Sequence, residues 1–174
     1  MDVPFLRRDL LKLFGAAAVT GPLQLPAAEP GAPLFFTKGE FALLDTLTEL
    51  IIPTDSHSPG ARAAGAAIFI DKSVAEAFLP EEKQSWRSGL ALINELSQAA
   101  SGKPFLKATQ QEQAAVLTKL SAHELEPQSA AEKFFTQLKA STTFAYYSSS
   151  IGIHREMEYK GNTIQQQFSG YEAT

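Results

Sequence analysis

An all-α fold is predicted, an irregular bundle of about five helices with an extended, loop-rich C-terminal tail. Three observations lead there. Capping-box pairs recur at Thr37/Glu40, Thr109/Glu112 and Ser129/Glu132, each placing a hydroxyl and a carboxylate so that they satisfy each other's free backbone N–H groups at a helix start. Apolar residues after each box repeat at three and four, the spacing of one helix face. No segment sustains the period-two alternation of β-branched residues that marks a strand.

Composition bounds the function classes. Of 174 residues 44% are hydrophobic and 20% charged, which describes one globular domain able to bury its own core. A net charge of −4 offers no basic field for a nucleic-acid backbone. Cysteine is absent, so disulfides, thiolate chemistry and c-type haem attachment are excluded. No internal apolar run reaches the roughly 20 residues of a membrane-spanning helix.

Residues 1–28 read as a targeting segment and not as fold. Arg7 and Arg8 precede Leu10-Leu11-Lys12, a mildly apolar run follows to Val19, and Gly21-Pro22 breaks it, giving the charged, apolar and small-residue layout of an export signal. Arg7, Arg8 and Lys12 resemble a twin-arginine signal, with Leu10 where that pattern usually has Phe. Residues 29–36 form a Pro/Gly linker, and 37–174 a single helical domain whose tail starts near 146.

The first helix is predicted over Lys38 to about Ile52, burying Leu43, Leu44, Leu47, Leu50 and Ile51, and Pro53 stops it. Pro53, Pro59, Gly60 and Gly65 then build a shaped loop. A second helix should run from Ala66 to Leu79 with Ile70, Val74 and Phe78 inward. Pro80 opens a third, reaching Ala100, with Trp86, Leu90, Ile93 and Leu96 inward and Gly102 closing it. Val116, Leu117 and Leu120 mark a fourth helix; Phe134, Phe135, Leu138, Thr142, Ala145 and Tyr146 mark a fifth. Beyond it, Ser148–Ser150 and Gly152 break the pattern, Gly161-Asn162 turns the chain, and Phe168 and Tyr171 leave aromatic rings that either fold back or meet a partner.

Catalytic constellations are not found. His57, His123 and His154 lack metal-motif spacing, and Asp55 with His57 supplies only two ligands. Serines have no G-x-S-x-G elbow, acidic pairs such as Glu81-Glu82 look like solvated helix ends, and no glycine-rich nucleotide fingerprint exists. An exported domain without such machinery points to contact with another protein. The competing readings are a periplasmic hydrolase using His57 or His154, and a signal-anchored or stand-alone binding protein.

Three stretches carry a family likeness. They are the Arg7-Arg8 signal; the loop from Ile52-Pro53-Thr54 through Ser58-Pro59-Gly60-Ala61 and Ala64-Gly65 to Phe69-Ile70-Asp71; and the tail with Ile151-Gly152, Glu156, Tyr159, Gly161-Asn162-Thr163, Phe168 and Gly170. In these the chain resembles subunit 3, the small subunit, of gluconate 2-dehydrogenase and related FAD-dependent sugar and polyol dehydrogenases. Members often carry a cysteine near the end, and Ser169-Gly170-Tyr171 has none. The resemblance implies a non-catalytic, cofactor-free subunit in the periplasm. Its partners would be a GMC-type large subunit that holds FAD, a membrane-bound cytochrome c subunit that holds haem c, and the twin-arginine translocase. It also implies that Pro53, Thr54, Pro59, Gly60, Gly65, Phe69, Tyr147, Tyr159, Asn162, Phe168 and Tyr171 form the partner-binding surfaces.

Overall fold

The computed structural model describes residues 32–161. Within them lie five α-helices and no strand: α1 (Lys38–Ile51), α2 (Ala66–Glu76), α3 (Pro80–Ser101), α4 (Gln110–Ser121) and α5 (Ala130–Tyr147). A 3-10 turn at Phe105–Lys107 joins α3 to α4, and a π-helical turn at Gly152–Glu156 follows α5. The predicted all-α bundle is therefore what forms. All three capping boxes close in both directions, as at Thr37, whose N–H donates 2.8 Å to Glu40 Oε2 while its hydroxyl accepts from Glu40 N at 3.2 Å.

Helix α5 is the axis of the bundle and packs against each of the other four. Its inward residues are those the spacing selects, Phe134, Phe135, Leu138, Thr142, Ala145 and Tyr146. An aromatic column crosses the core beside it: Phe36 meets Trp86 edge-on at 6.3 Å, and Trp86 meets Phe134 at 5.5 Å with planes 87° apart, a geometry that sets ring edge against ring face. Helix α3 can approach this closely because Gly89 has no side chain; a Cβ there would penetrate the Phe134 ring.

One expectation needs correction. Helix α2 stops at Glu76, three residues early, because Ala77 turns extended (ψ 132°) and Leu79 precedes Pro80, which disfavours helical backbone. Phe78 is consequently 95% exposed, not inward. After α5 the helix breaks at Ser148 and Ser149, as expected, and a π-helical turn follows. Ser148 and Ser149 donate their hydroxyls to the Phe144 and Tyr146 carbonyls, each at 2.6 Å, and Ser149 Oγ accepts from Gly152 N at 3.0 Å. Their side chains satisfy the helix end and restart a coil, which buries Gly152.

The segment assigned to the linker joins the body before α1 begins. Asp71, 3% exposed, accepts three successive backbone N–H groups, from Leu34 (2.5 Å), Phe35 and Phe36 (3.0 Å each). Phe36 is thereby seated in the core, while Arg87 covers the Phe35 ring at 4.5 Å and donates to its carbonyl at 3.1 Å. Replacing Asp71 by Asn sets an amide against at least one of those donors. We expect Asp71→Asn to lower stability by about 2 kcal/mol, since bonds to a charged acceptor are worth about 1.5–3 kcal/mol each; urea unfolding followed by Trp86 fluorescence checks this.

The box that starts α5 carries a pH dependence. Glu132 is held down at about 2, from an ordinary 4.5, by the Ser129 backbone N–H first, then the His123 ring and the Gln128 N–H. A lowered folded value means the contribution is full above about 4.5 and is lost as pH falls towards about 2. In that window the unfolded chain takes up a proton that the folded chain does not. Glu132→Gln should remove nearly one proton from the acid-unfolding uptake between those pH values, measured from denaturation midpoints across the range.

Candidate functional site

The loop between α1 and α2 is built in two layers. Its base, Ser58, Gly60 and Ala61, is buried; its rim, Pro53 to His57, is exposed. Ala61 joins Ala66, Ala145 and Tyr146 in a small apolar cluster separate from the main core, with Ile52, Ala64 and Ile151 packed on it. At the centre the Tyr146 hydroxyl donates to the Pro59 carbonyl at 3.0 Å and shares a 2.7 Å hydrogen bond with Ser58 Oγ. The loop is thus plugged onto the last turn of α5.

Two carboxylates hold its shape by gripping backbone. Glu49 Oε1 accepts from both Thr54 N and Thr54 Oγ1 at 3.1 Å, and its Oε2 accepts from Arg62 N at 2.9 Å. Thr54 Oγ1 in turn accepts from Gly60 N at 2.8 Å. Asp55 Oδ1 takes the N–H groups of His57 (2.8 Å) and Ser58 (2.9 Å), and these donors, Ser58 first, pull its pKa below the ordinary value. Arg62 closes the outer edge through Nε, 2.6 Å from Asp45 Oδ2.

The predicted contact residues fall into different places. Pro53 and Thr54 stand on the rim. Gly60 lies at the base, where a Cβ would be 2.5 Å from Thr54 N and 2.7 Å from the Ile52 carbonyl oxygen, so it shapes the loop from within. Pro59 presents its carbonyl inward to Tyr146. Gly65 takes left-handed backbone (φ 73°) as the N-cap of α2. Phe69 lies on α2 with its ring 5.7 Å from Phe144. Tyr147 and Tyr159 are partly exposed, the Tyr147 ring standing edge-on to Tyr146 at 5.2 Å. Asn162, Phe168 and Tyr171 lie outside the described residues, as do Arg7, Arg8 and Lys12.

Loop and tail, far apart in sequence, meet. His57 Nε2 is 3.4 Å from the Glu156 carbonyl oxygen and 3.9 Å from its carboxylate, so the rim and the π-helical turn share one face. Among the described residues that face shows no nucleophile–base pair: Ser58 Oγ is engaged by Tyr146, His57 points to Glu156, and His154 is exposed. Among the described residues no three His, Cys, Asp or Glu side chains stand close enough to hold a metal ion, and no helix is long and apolar enough to cross a membrane.

A profile described as gluconate 2-dehydrogenase subunit 3 matches residues 38–163. The chain belongs to this family. The match begins with α1 and takes in the loop, all five helices and the π-helical turn. No curated protein and no solved structure matches the chain. The resemblance to the gluconate 2-dehydrogenase subunit 3 family is thus borne out over residues 38–163, while the Arg7-Arg8 stretch and Phe168 with Gly170 lie outside the match.

Glu49, Asp71 and Tyr146 were not singled out as site residues, though two leave a trace in the sequence. Glu49 is an acid in the last turn of a helix, where the helix dipole disfavours it. Asp71 sits four residues after Ala67 and three before Val74, an acid on the inward stripe. Each is a misfit that implies a specific partner. Tyr146→Phe should lower stability by about 1–2 kcal/mol, since it leaves Ser58 Oγ and the Pro59 carbonyl only their long 3.4 Å bond to each other, and should speed tryptic cleavage after Arg62. Gly60→Ala should do the same more strongly because its neighbours are backbone, and a proteolysis time course reads both.

Proposed function

We propose that this chain is the non-catalytic small subunit of a periplasmic FAD-dependent dehydrogenase acting on a sugar acid, sugar or polyol. It would bind the flavoprotein large subunit, stabilise it and carry it through twin-arginine export on the signal containing Arg7, Arg8 and Lys12. The family match over residues 38–163 carries this reading. The absence of a cysteine agrees with it, because haem c would then belong to a separate membrane-bound cytochrome subunit and not to this chain. FAD would sit in the large subunit.

The loop supplies the physical argument for docking. A surface whose backbone donors are already taken by Glu49, Asp55 and Thr54 loses little conformational entropy when a partner covers it. Pro53, Thr54 and His57 on the rim, with Tyr147 and Tyr159 nearby in the chain's last described stretch, form the proposed contact surface. Its aromatic members fit the chemistry of interface anchors.

Co-expression of the C-terminally tagged chain with its large subunit, followed by affinity purification, tests this. The expected product is a stoichiometric yellow complex with a flavin spectrum, and Arg7→Lys with Arg8→Lys should hold both chains in the cytoplasm. Recovery of the chain alone and colourless under mild conditions would sink the proposal.

A further inference from the structure

The four residues ahead of α1 each give their backbone N–H to a side-chain carboxylate: Leu34, Phe35 and Phe36 to Asp71, and Thr37 to Glu40. The Phe35 carbonyl is taken as well, by Arg87 Nη2 at 3.1 Å. Both rings are seated. Phe36 is 4% exposed and meets Trp86 edge-on, while Phe35 stands edge-on to Phe36 at 4.9 Å beneath the Arg87 guanidinium. Residues 34–37 are a strap whose main chain is held like a docked peptide.

We infer that this strap is a folding-dependent stop for N-terminal processing: a protease shortens the chain as far as Leu34 and no further. The inference rests on the proposed reading of residues 1–28 as an export segment and adds where its removal ends. A protease takes its substrate as an extended strand and hydrogen-bonds the main chain, as a peptide does when it is added to a sheet edge. From Leu34 to Thr37 the N–H groups already have partners, so cutting there first requires the strap to open.

Folding dependence follows from where the partners lie. Glu40 is on α1, Asp71 on α2 and Arg87 on α3, with Arg87 Nε 3.8 Å from Glu40 Oε1. Asp71 is 35 to 37 residues from the amides it binds, so the strap closes only once these three helices have packed. In a chain that has not folded, Leu34-Phe35-Phe36 is a run of large apolar residues that a protease of apolar specificity can cut. The compact body begins at Pro33, and a chain shortened only to the strap keeps all but that first residue of it. The family match begins at Lys38 and assigns nothing to these residues.

Thermolysin, which cuts ahead of large apolar residues, tests the strap in the full chain without the large subunit, so the result is separate from that of the proposed complex. The bonds ahead of Leu34, Phe35 and Phe36 should resist in the native chain and be cut at once in urea, as read by N-terminal sequencing of the products. Asp71→Asn should speed native cutting there about tenfold or more, because bonds to a charged acceptor hold the strap closed, and Arg87→Ala should speed it by a smaller factor. The chain recovered from the periplasm should be shortened at its N-terminus yet still carry Leu34. Native cutting at the urea rate, cutting unchanged by both variants, or a periplasmic chain that begins beyond Leu34 would each overturn the inference. An exported chain that keeps residues 1–28 would overturn it too and leave the proposed function standing. If Asp71→Asn loosens the whole body, cuts ahead of Leu90 and Ile93 appear with it, and Arg87→Ala decides.

Discussion

A hydroxyl buried in an apolar cluster must find partners, and the partners of Tyr146 decide where the loop lies. It reaches Ser58 Oγ and the Pro59 carbonyl, so the path of residues 52–65 is set from α5, almost ninety residues away in sequence. Because α5 packs on every other helix, the loop is referred to the whole core through one side chain. With two partners the hydroxyl is held from both sides; leaving it with neither would strand a buried polar atom, which costs more than the net worth of one such bond.

Carboxylates gripping backbone recur throughout the molecule. Glu40, Glu112 and Glu132 close helix starts; Asp71 holds the lead-in to α1; Glu49 and Asp55 hold the loop. In each case an acid meets N–H groups that the local conformation leaves unpaired. Much of the acidic side of the chain's balance therefore does internal work. Among the described residues no buried side-chain nitrogen or oxygen lacks a partner.

That economy bears on function. A loop whose amides are internally satisfied is a preformed surface, and the turn after α5 extends it through His57 and Glu156. Binding by such a surface loses less on ordering than binding by a loose connector.

Helix positions were legible because their signals are local. A Thr or Ser three residues before Glu, a stripe at three and four, and a proline or glycine at a boundary act within one or two turns, and the helices at 38–51, 80–101, 110–121 and 130–147 follow them. Membership of the family was also readable, as the match over residues 38–163 bears out. Tertiary structure alone decided what joins across distance. Asp71, Glu49 and Tyr146 acquired their roles only when segments 13 to 88 residues apart came together; Phe78, by contrast, turned outward for a local reason, the restriction that Pro80 places on the residue before it. Periodicity reports which face of an element is apolar; it carries no information about which distant amide or hydroxyl will need a partner there.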